Sequence, residues 1–237
     1  DKVDAAVDDL LSYSHIGFDT ETKPAFKKGV THQVGLLQLA TDKRVYLFRL
    51  NKCGLSESLQ DLLANENIMK IGVGIRDDIR GLRKLANFIP ASFLDLQIFA
   101  KAFGIEEMSF SKLMSIIFKV KISKRQRTSN WEAPRLTPAQ LHYAATDAWG
   151  ALKMYKALKR ATNTEKAVLR YRTALEKLFP LLPNIGLVAD SCLTAVADDW
   201  RFHQRAVLEQ LFLLVLVVEH VDVQIPHKAG GAAVVQS

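Results

Sequence analysis

An α/β layer fold with a mixed sheet is predicted for this chain of 237 residues, and three observations predict it. Short β-type runs alternate with helix-patterned segments, which calls for strands covered by helices. Two of the runs, Val34–Leu39 and Arg44–Phe48, lie around Thr41-Asp42-Lys43, a hairpin connection that makes part of the sheet antiparallel. The composition, 49% apolar and 24% charged, is ordinary globular usage and supplies a sizeable core while arguing against disorder. The longest unbroken apolar run, Leu211–Val218, is far shorter than the ~20 residues that cross a bilayer, so no membrane partner is expected.

The elements follow in order. Residues 1–12 set Val3, Ala6, Val7, Leu10 and Leu11 on one helical stripe, with Asp1, Asp4, Asp8 and Asp9 off it. His15–Asp19 is a short β-type run, and a polar loop with Pro24 and Gly29 carries the chain from Lys23 to Gln33. After the hairpin, a helix through Leu55–Leu63 leads to a strand at Met69–Val73, which ends in Gly72-Val73-Gly74. A helix over about Asp78–Ala86 and a short strand at Phe93–Leu96 come next, and from Gln97 the pattern is helical. Thr137-Pro138-Ala139-Gln140 is a marked helix start: Thr137 caps, Pro138 sits where its missing N–H costs nothing, and Gln140 completes a capping box. That helix should reach about Lys159, with another following to Phe179. Beyond Pro183, Leu211–Val218 reads equally as a buried strand or a helix segment, and Lys228–Ser237 as a flexible tail.

Lys+Arg 32 against Asp+Glu 25 gives a net charge of +7 and a pI near 9.4, which favours a polyanionic partner. Cys53 and Cys192 alone make neither a disulfide framework nor a zinc site, so a reducing, intracellular setting is expected, cytoplasmic or nuclear or in a nucleoid. The chain begins at Asp1, so a true start or targeting peptide would lie outside it.

Three acidic sites carry the chemistry. In Phe18-Asp19-Thr20-Glu21 an apolar run ends in two acids at i, i+2, which places both carboxylates on one face of a strand. Two like charges that close repel unless a proton or a cation lies between them; solvated loop acids are the plain alternative. Gly74-Ile75-Arg76-Asp77-Asp78 follows a strand and opens a helix, at the sheet edge where α/β folds place ligands. Acids also favour a helix N-terminus through its dipole, and neither a P-loop nor a dinucleotide spacing is present. In Tyr143-Ala144-Ala145-Thr146-Asp147 the tyrosine and aspartate, four residues and ~400° apart, share a helix face. Ala144, Ala145 and Ala148 keep that surface slim enough to approach the sheet. An aspartate buried there needs a partner, either a metal or an Arg or Lys.

These motifs, together with Val34-Gly35-Leu36-Leu37-Gln38-Leu39-Ala40, Ser129-Asn130-Trp131 and Leu136-Thr137-Pro138-Ala139-Gln140, resemble in order the tyrosine branch of the DEDD 3′–5′ exonuclease superfamily. Ribonuclease D and the exonuclease domain of the Werner syndrome protein are the similar members, and the resemblance covers about residues 12–160. It implies a ribonuclease H-like mixed sheet flanked by helices over 1–180, with 181–237 a C-terminal extension of unknown role. It implies metal-dependent removal of nucleotides from a 3′ end, with two divalent cations, Mg²⁺ or Mn²⁺. The ligands would be Asp19, Glu21, Asp78 and Asp147, hard oxygen donors that suit such ions. Asp78 is preferred to Asp77 because an apolar residue, Leu82, falls four positions later. Tyr143 corresponds to the catalytic tyrosine. His142 has the five-residue spacing of the histidine branch, but ~500° of rotation points it ~140° away from Asp147, so it is taken as a surface residue.

Residues 119–135 carry Lys119, Lys121, Lys124, Arg125, Arg127 and Arg135 against Glu132 alone. Lys124, Arg125 and Arg127 are the candidate phosphate contacts, with a solvated basic loop as the alternative and Lys23, Lys27 and Lys28 as secondary candidates. Trp131 is expected to anchor its loop in the core rather than to stack on a base. DNA or RNA with a free 3′ end is the expected substrate, DNA somewhat favoured. The rival from another class is a nucleic-acid-binding scaffold of the same fold without hydrolysis, against which the full set of four acids and the tyrosine speaks.

Overall fold

A computed structural model describes residues 2–106 and 109–161, together with the backbone of 214–218. The first helix, α1 (Lys2–Leu11), is followed by β1 (His15–Thr22), β2 (Val34–Ala40) and β3 (Arg44–Phe48). Two helices, α2 (Leu50–Cys53) and α3 (Glu57–Ala64), precede β4 (Met69–Gly72), α4 (Arg76–Leu82) and β5 (Phe93–Asp95). A helical stretch follows: α5 (Leu96–Phe99), a 3₁₀ turn at Ala100–Phe103 and α6 (Phe110–Phe118). An irregular segment then leads to the long α7 (Pro138–Arg160), and β6 (Leu214–Val218) adds a last strand. The expected helix to Phe179, the tail at Lys228–Ser237 and most of the 181–237 extension lie outside the described residues.

The strands lie in the order β5-β4-β1-β2-β3-β6. The β1–β2 and β2–β3 pairs are antiparallel, whereas β1–β4, β4–β5 and β3–β6 are parallel. The sheet is therefore mixed, as the hairpin required. Leu211–Val218, open between two readings from sequence, contains a strand at Leu214–Val218 paired with β3.

Period-2 alternation sorts β1 between two layers. Ile16 and Phe18 join the apolar cluster of α1, α3 and α4, with Val7, Leu10, Leu62 and Leu82. Leu36, Ala40, Val45 and Leu47 on the opposite face pack against Ala144, Ala145, Ala148 and Trp149 of α7. The helix–strand approach is unusually close at one point: a Cβ built on Gly17 would lie 1.9 Å from the Ala148 carbonyl oxygen. The small residues of α7 and the bare Cα of Gly17 thus bring the helix backbone onto β1, two residues from Asp19. The predicted capping box fixes where α7 starts. Thr137 Oγ1 accepts from the Gln140 N–H at 3.3 Å, and the Thr137 N–H donates to Gln140 Oε1 at 3.0 Å.

Several details differ from expectation. Strand β1 runs on to Thr22, because Asp19 and Glu21 pair with Gln38 and Leu36 instead of opening a loop. Helix α4 spans Arg76–Leu82 instead of Asp78–Ala86, its end tightening into turns in which Lys84 and Leu85 donate to the carbonyls three residues back. The predicted strand at Phe93–Leu96 stops at Asp95, whose side chain caps α5 by accepting from the Gln97 N–H at 2.9 Å. Leu11, placed on the apolar stripe of the first helix, is 46% exposed because the buried face is completed by Val3, Ala6, Val7 and Leu10.

Candidate active site

Two backbones meet to make the site. On β1, Asp19 and Glu21 point to the α7 side of the sheet, and on α7 Asp147 comes from the residue before the Gly17–Ala148 contact. Ligand oxygens of Asp19, Glu21 and Asp147 all lie within 4.8 Å of one another. Thr20, between the two acids of β1, points the other way and donates its hydroxyl to Asp78 Oδ1 at the start of α4. Asp78 therefore approaches from the opposite layer and stands beside the trio instead of within it. Thr20 was not singled out by sequence reasoning, although its position between two same-face acids already directed it to the α4 layer.

Tyr143, one turn before Asp147, hydrogen-bonds the Asp147 carboxylate. Its ring is tilted against that of Trp131, with centroids 6.1 Å apart. Trp131 is fully buried, so it anchors the Ser129-Asn130-Trp131 segment and backs the phenol rather than offering a face to a base. His142 is exposed, in keeping with the surface position expected of it. The cleft over the acids is lined by Phe18, Asp19, Thr20, Glu21, Val73, Phe110, Arg127, Tyr143 and Asp147. Of the three basic candidates, Arg127 reaches it; Lys124 and Arg125 are exposed and are not part of its wall. Lys23, just past the first acidic pair, instead bonds Glu132 at 3.3 Å and ties the β1–β2 loop to the segment before α7.

The electrostatics are those of crowded carboxylates. Burial and then the charges of Asp147, Asp78 and Glu21 hold the Asp19 carboxyl well above its ordinary range. Burial, with Asp147 and Asp78, pushes Glu21 up to about 9. Burial carries Asp147 to about 7 against the opposing hydrogen bond from Tyr143, and Asp78 to about 6 against the Thr20 hydrogen bond. The Tyr143 phenol is itself raised, first by burial and then by the three nearby acids, with Arg127 pulling the other way. Such a group of oxygen donors is unfavourable without a proton or a cation between its members. Its donor chemistry fits hard divalent ions, which Asp19, Glu21 and Asp147 could hold together.

The 3′–5′ exonuclease family matches residues 1–163 of this chain. The chain is similar to the mouse bifunctional 3′–5′ exonuclease/ATP-dependent helicase WRN, 33% identical over 192 residues, which are 78% of this chain and 13% of that protein. It is also similar to ribonuclease D of Haemophilus influenzae, 29% identical over 161 residues, 65% of this chain and 39% of that protein. The crystal structure of the Aedes aegypti Nibbler EXO domain matches with a TM-score of 0.56 and 26% identity, covering 70% of this chain and 90% of the domain. The chain thus spans 13% and 39% of the two full-length relatives.

Proposed function

The chain belongs to the 3′–5′ exonuclease family, and from that premise we propose that it removes nucleotides from the 3′ end of a nucleic acid by metal-dependent phosphodiester hydrolysis. The observation that carries the proposal is the convergence of Asp19, Glu21 and Asp147 beside a phenol that hydrogen-bonds one of them. Two divalent cations would be held by these acids: Asp19 would serve both, Glu21 and Asp147 the ion that activates the attacking water, and Asp78 the other. Bound there, divalent cations supply charge that lowers the pKa of water and offsets the extra charge of the phosphoryl group. Tyr143 orients the attacking water by hydrogen bonding, because a phenol raised above its usual pKa stays protonated at neutral pH and is a poor base. Arg127, on the cleft wall, neutralises a substrate phosphate.

DNA, somewhat ahead of RNA, is the substrate we expect. Digestion of matched 5′-labelled and 3′-labelled DNA and RNA strands with Mg²⁺ or Mn²⁺ tests the whole reading. A 5′ label should remain on a shrinking ladder, while a 3′ label is released at once as mononucleotide. EDTA should stop both. Release from the 5′ end, or hydrolysis that survives chelation, would overturn it.

A further inference from the structure

One buried polar group next to the acids is left over by this chemistry. Gln38 sits in the middle of β2 among Leu36, Leu37, Leu39 and Ala40, and all five side chains are fully buried. Neither its Nε2 nor its Oε1 has a hydrogen-bond partner. A leucine would be the more favourable occupant on packing grounds, since an amide loses its water on burial and regains nothing.

Its register names the partner. Gln38 is the direct cross-strand partner of Asp19 in the antiparallel β1–β2 ladder. Facing residues in such a ladder point to the same side, with Cβ atoms roughly 4.5–5.5 Å apart, a gap that the flexible glutamine side chain spans. On that side the neighbouring Leu36 and Ala40 pack against Ala144, Ala145 and Ala148, so the amide is enclosed between β2 and α7. The Asp19 carboxylate receives a backbone hydrogen bond from Thr20 and has further acceptor capacity. The Trp149 indole N–H, on the α7 side of the sheet, is likewise buried without a partner.

We propose, resting on the nuclease reading above, that Gln38 is a positioning residue: when the trio holds its cations, the amide N–H donates to the Asp19 carboxylate across the ladder and keeps it directed at them. A second donor on a metal-ligating carboxylate holds it in place on the ion, and loss of such a donor typically weakens metal binding by about 10–100-fold. Stability should move differently. In the metal-free structure the amide makes no hydrogen bond, so an apolar side chain of similar shape removes a buried polar group without breaking one.

Calorimetric titration of the full chain with Mn²⁺ alone, paired with thermal melts in EDTA, separates these effects. Gln38→Leu and Gln38→Met should each raise the Mn²⁺ Kd by about tenfold or more, with a metal-free Tm equal to or above that of the parent. Should Gln38→Leu not fold, Gln38→Met carries the measurement. A Kd within about twofold of the parent in either folded variant, whatever its Tm, means that Gln38 only packs and overturns the inference. Asp19→Asn is the control. If it binds Mn²⁺ as the parent does, or if the parent binds none, the nuclease reading fails and this inference with it. An unchanged Kd in Gln38→Leu alone sinks only the role of Gln38.

Discussion

Asp147 carries two opposing demands on one side chain. Burial favours the protonated form, while the proposed hydrolysis would need the carboxylate to hold a cation. Asp147→Asn removes a charge that raises both Asp19 and Glu21. It should therefore abolish hydrolysis while leaving the metal-free Tm at about pH 8 equal to or above that of the parent. A folded Asp147→Asn variant that still degrades a 3′ end would refute the assignment. Tyr143 separates from its neighbour in the same way. Tyr143→Phe keeps the ring against Trp131 but loses the hydroxyl that bonds Asp147, so kcat should fall at least about tenfold with little change in Tm. His142→Ala, at an exposed position, should leave turnover within about twofold. The opposite pattern in this pair would transfer the water-orienting role to the histidine.

Elements set how far apart those side chains stand, and the tightest constraint is the crossing of α7 over β1. A Cβ at Gly17 would meet the Ala148 carbonyl oxygen and carbon at 1.9 and 2.8 Å, backbone atoms that cannot rotate away. Gly17→Ala must therefore push α7 off the sheet and draw Asp147 away from Asp19 and Glu21. It should lower the Tm by several degrees and reduce hydrolysis by more than about tenfold, since a shift of about 1 Å at a reacting centre can cost 10²-fold. Parent-like activity in Gly17→Ala would mean that the acids tolerate a looser crossing. Much of this arrangement was legible in sequence. The i, i+2 acids, the capped helix and its alanines state a face, a start and a slim surface in local terms. What escaped was non-local. Nothing near Arg49 reveals that this fully buried guanidinium holds the segment before α7, donating to the Pro134 carbonyl at 3.0 Å and to that of Ala133. Nor does the run 119–135 tell which of its cations faces the acids; Arg127 does so because the turn at Lys124–Arg127 and the buried Trp131 fix its place. The end of β1 was missed for the same reason, since pairing with β2 carries Glu21 and Thr22 into the sheet against their local polarity.

The whole molecule combines a net charge of +7 with an acidic centre, so attraction of a polyanion and repulsion at the cleft are both built in. Basic residues outside the cleft should act on binding alone. Replacing Lys124 or Arg125 should reduce the slope of log K against log salt by about one each, whereas Arg127→Gln should also lower kcat, because Arg127 lines the cleft. A slope indifferent to all three replacements would remove the segment from the binding face. The acidic centre makes its own prediction for stability. Unfolded carboxyls titrate near pH 4, but in the native metal-free protein Asp78 does so at about 6, Asp147 at about 7 and Glu21 at about 9. Between those limits the native state holds more protons than the unfolded chain, so the contribution of these groups is greatest below about pH 4 and falls as pH rises through each native value. A bound divalent cation replaces the missing protons and reverses the loss, most strongly where the acids would otherwise ionise together. The Tm increment produced by saturating Mg²⁺ should therefore be larger at about pH 8 than at about pH 5.5, and Asp19→Asn should shrink it at the higher pH. Equal increments at both pH values would show that the acids are not jointly responsible for binding the ion, and the acidic centre would lose its claim to be the reacting one.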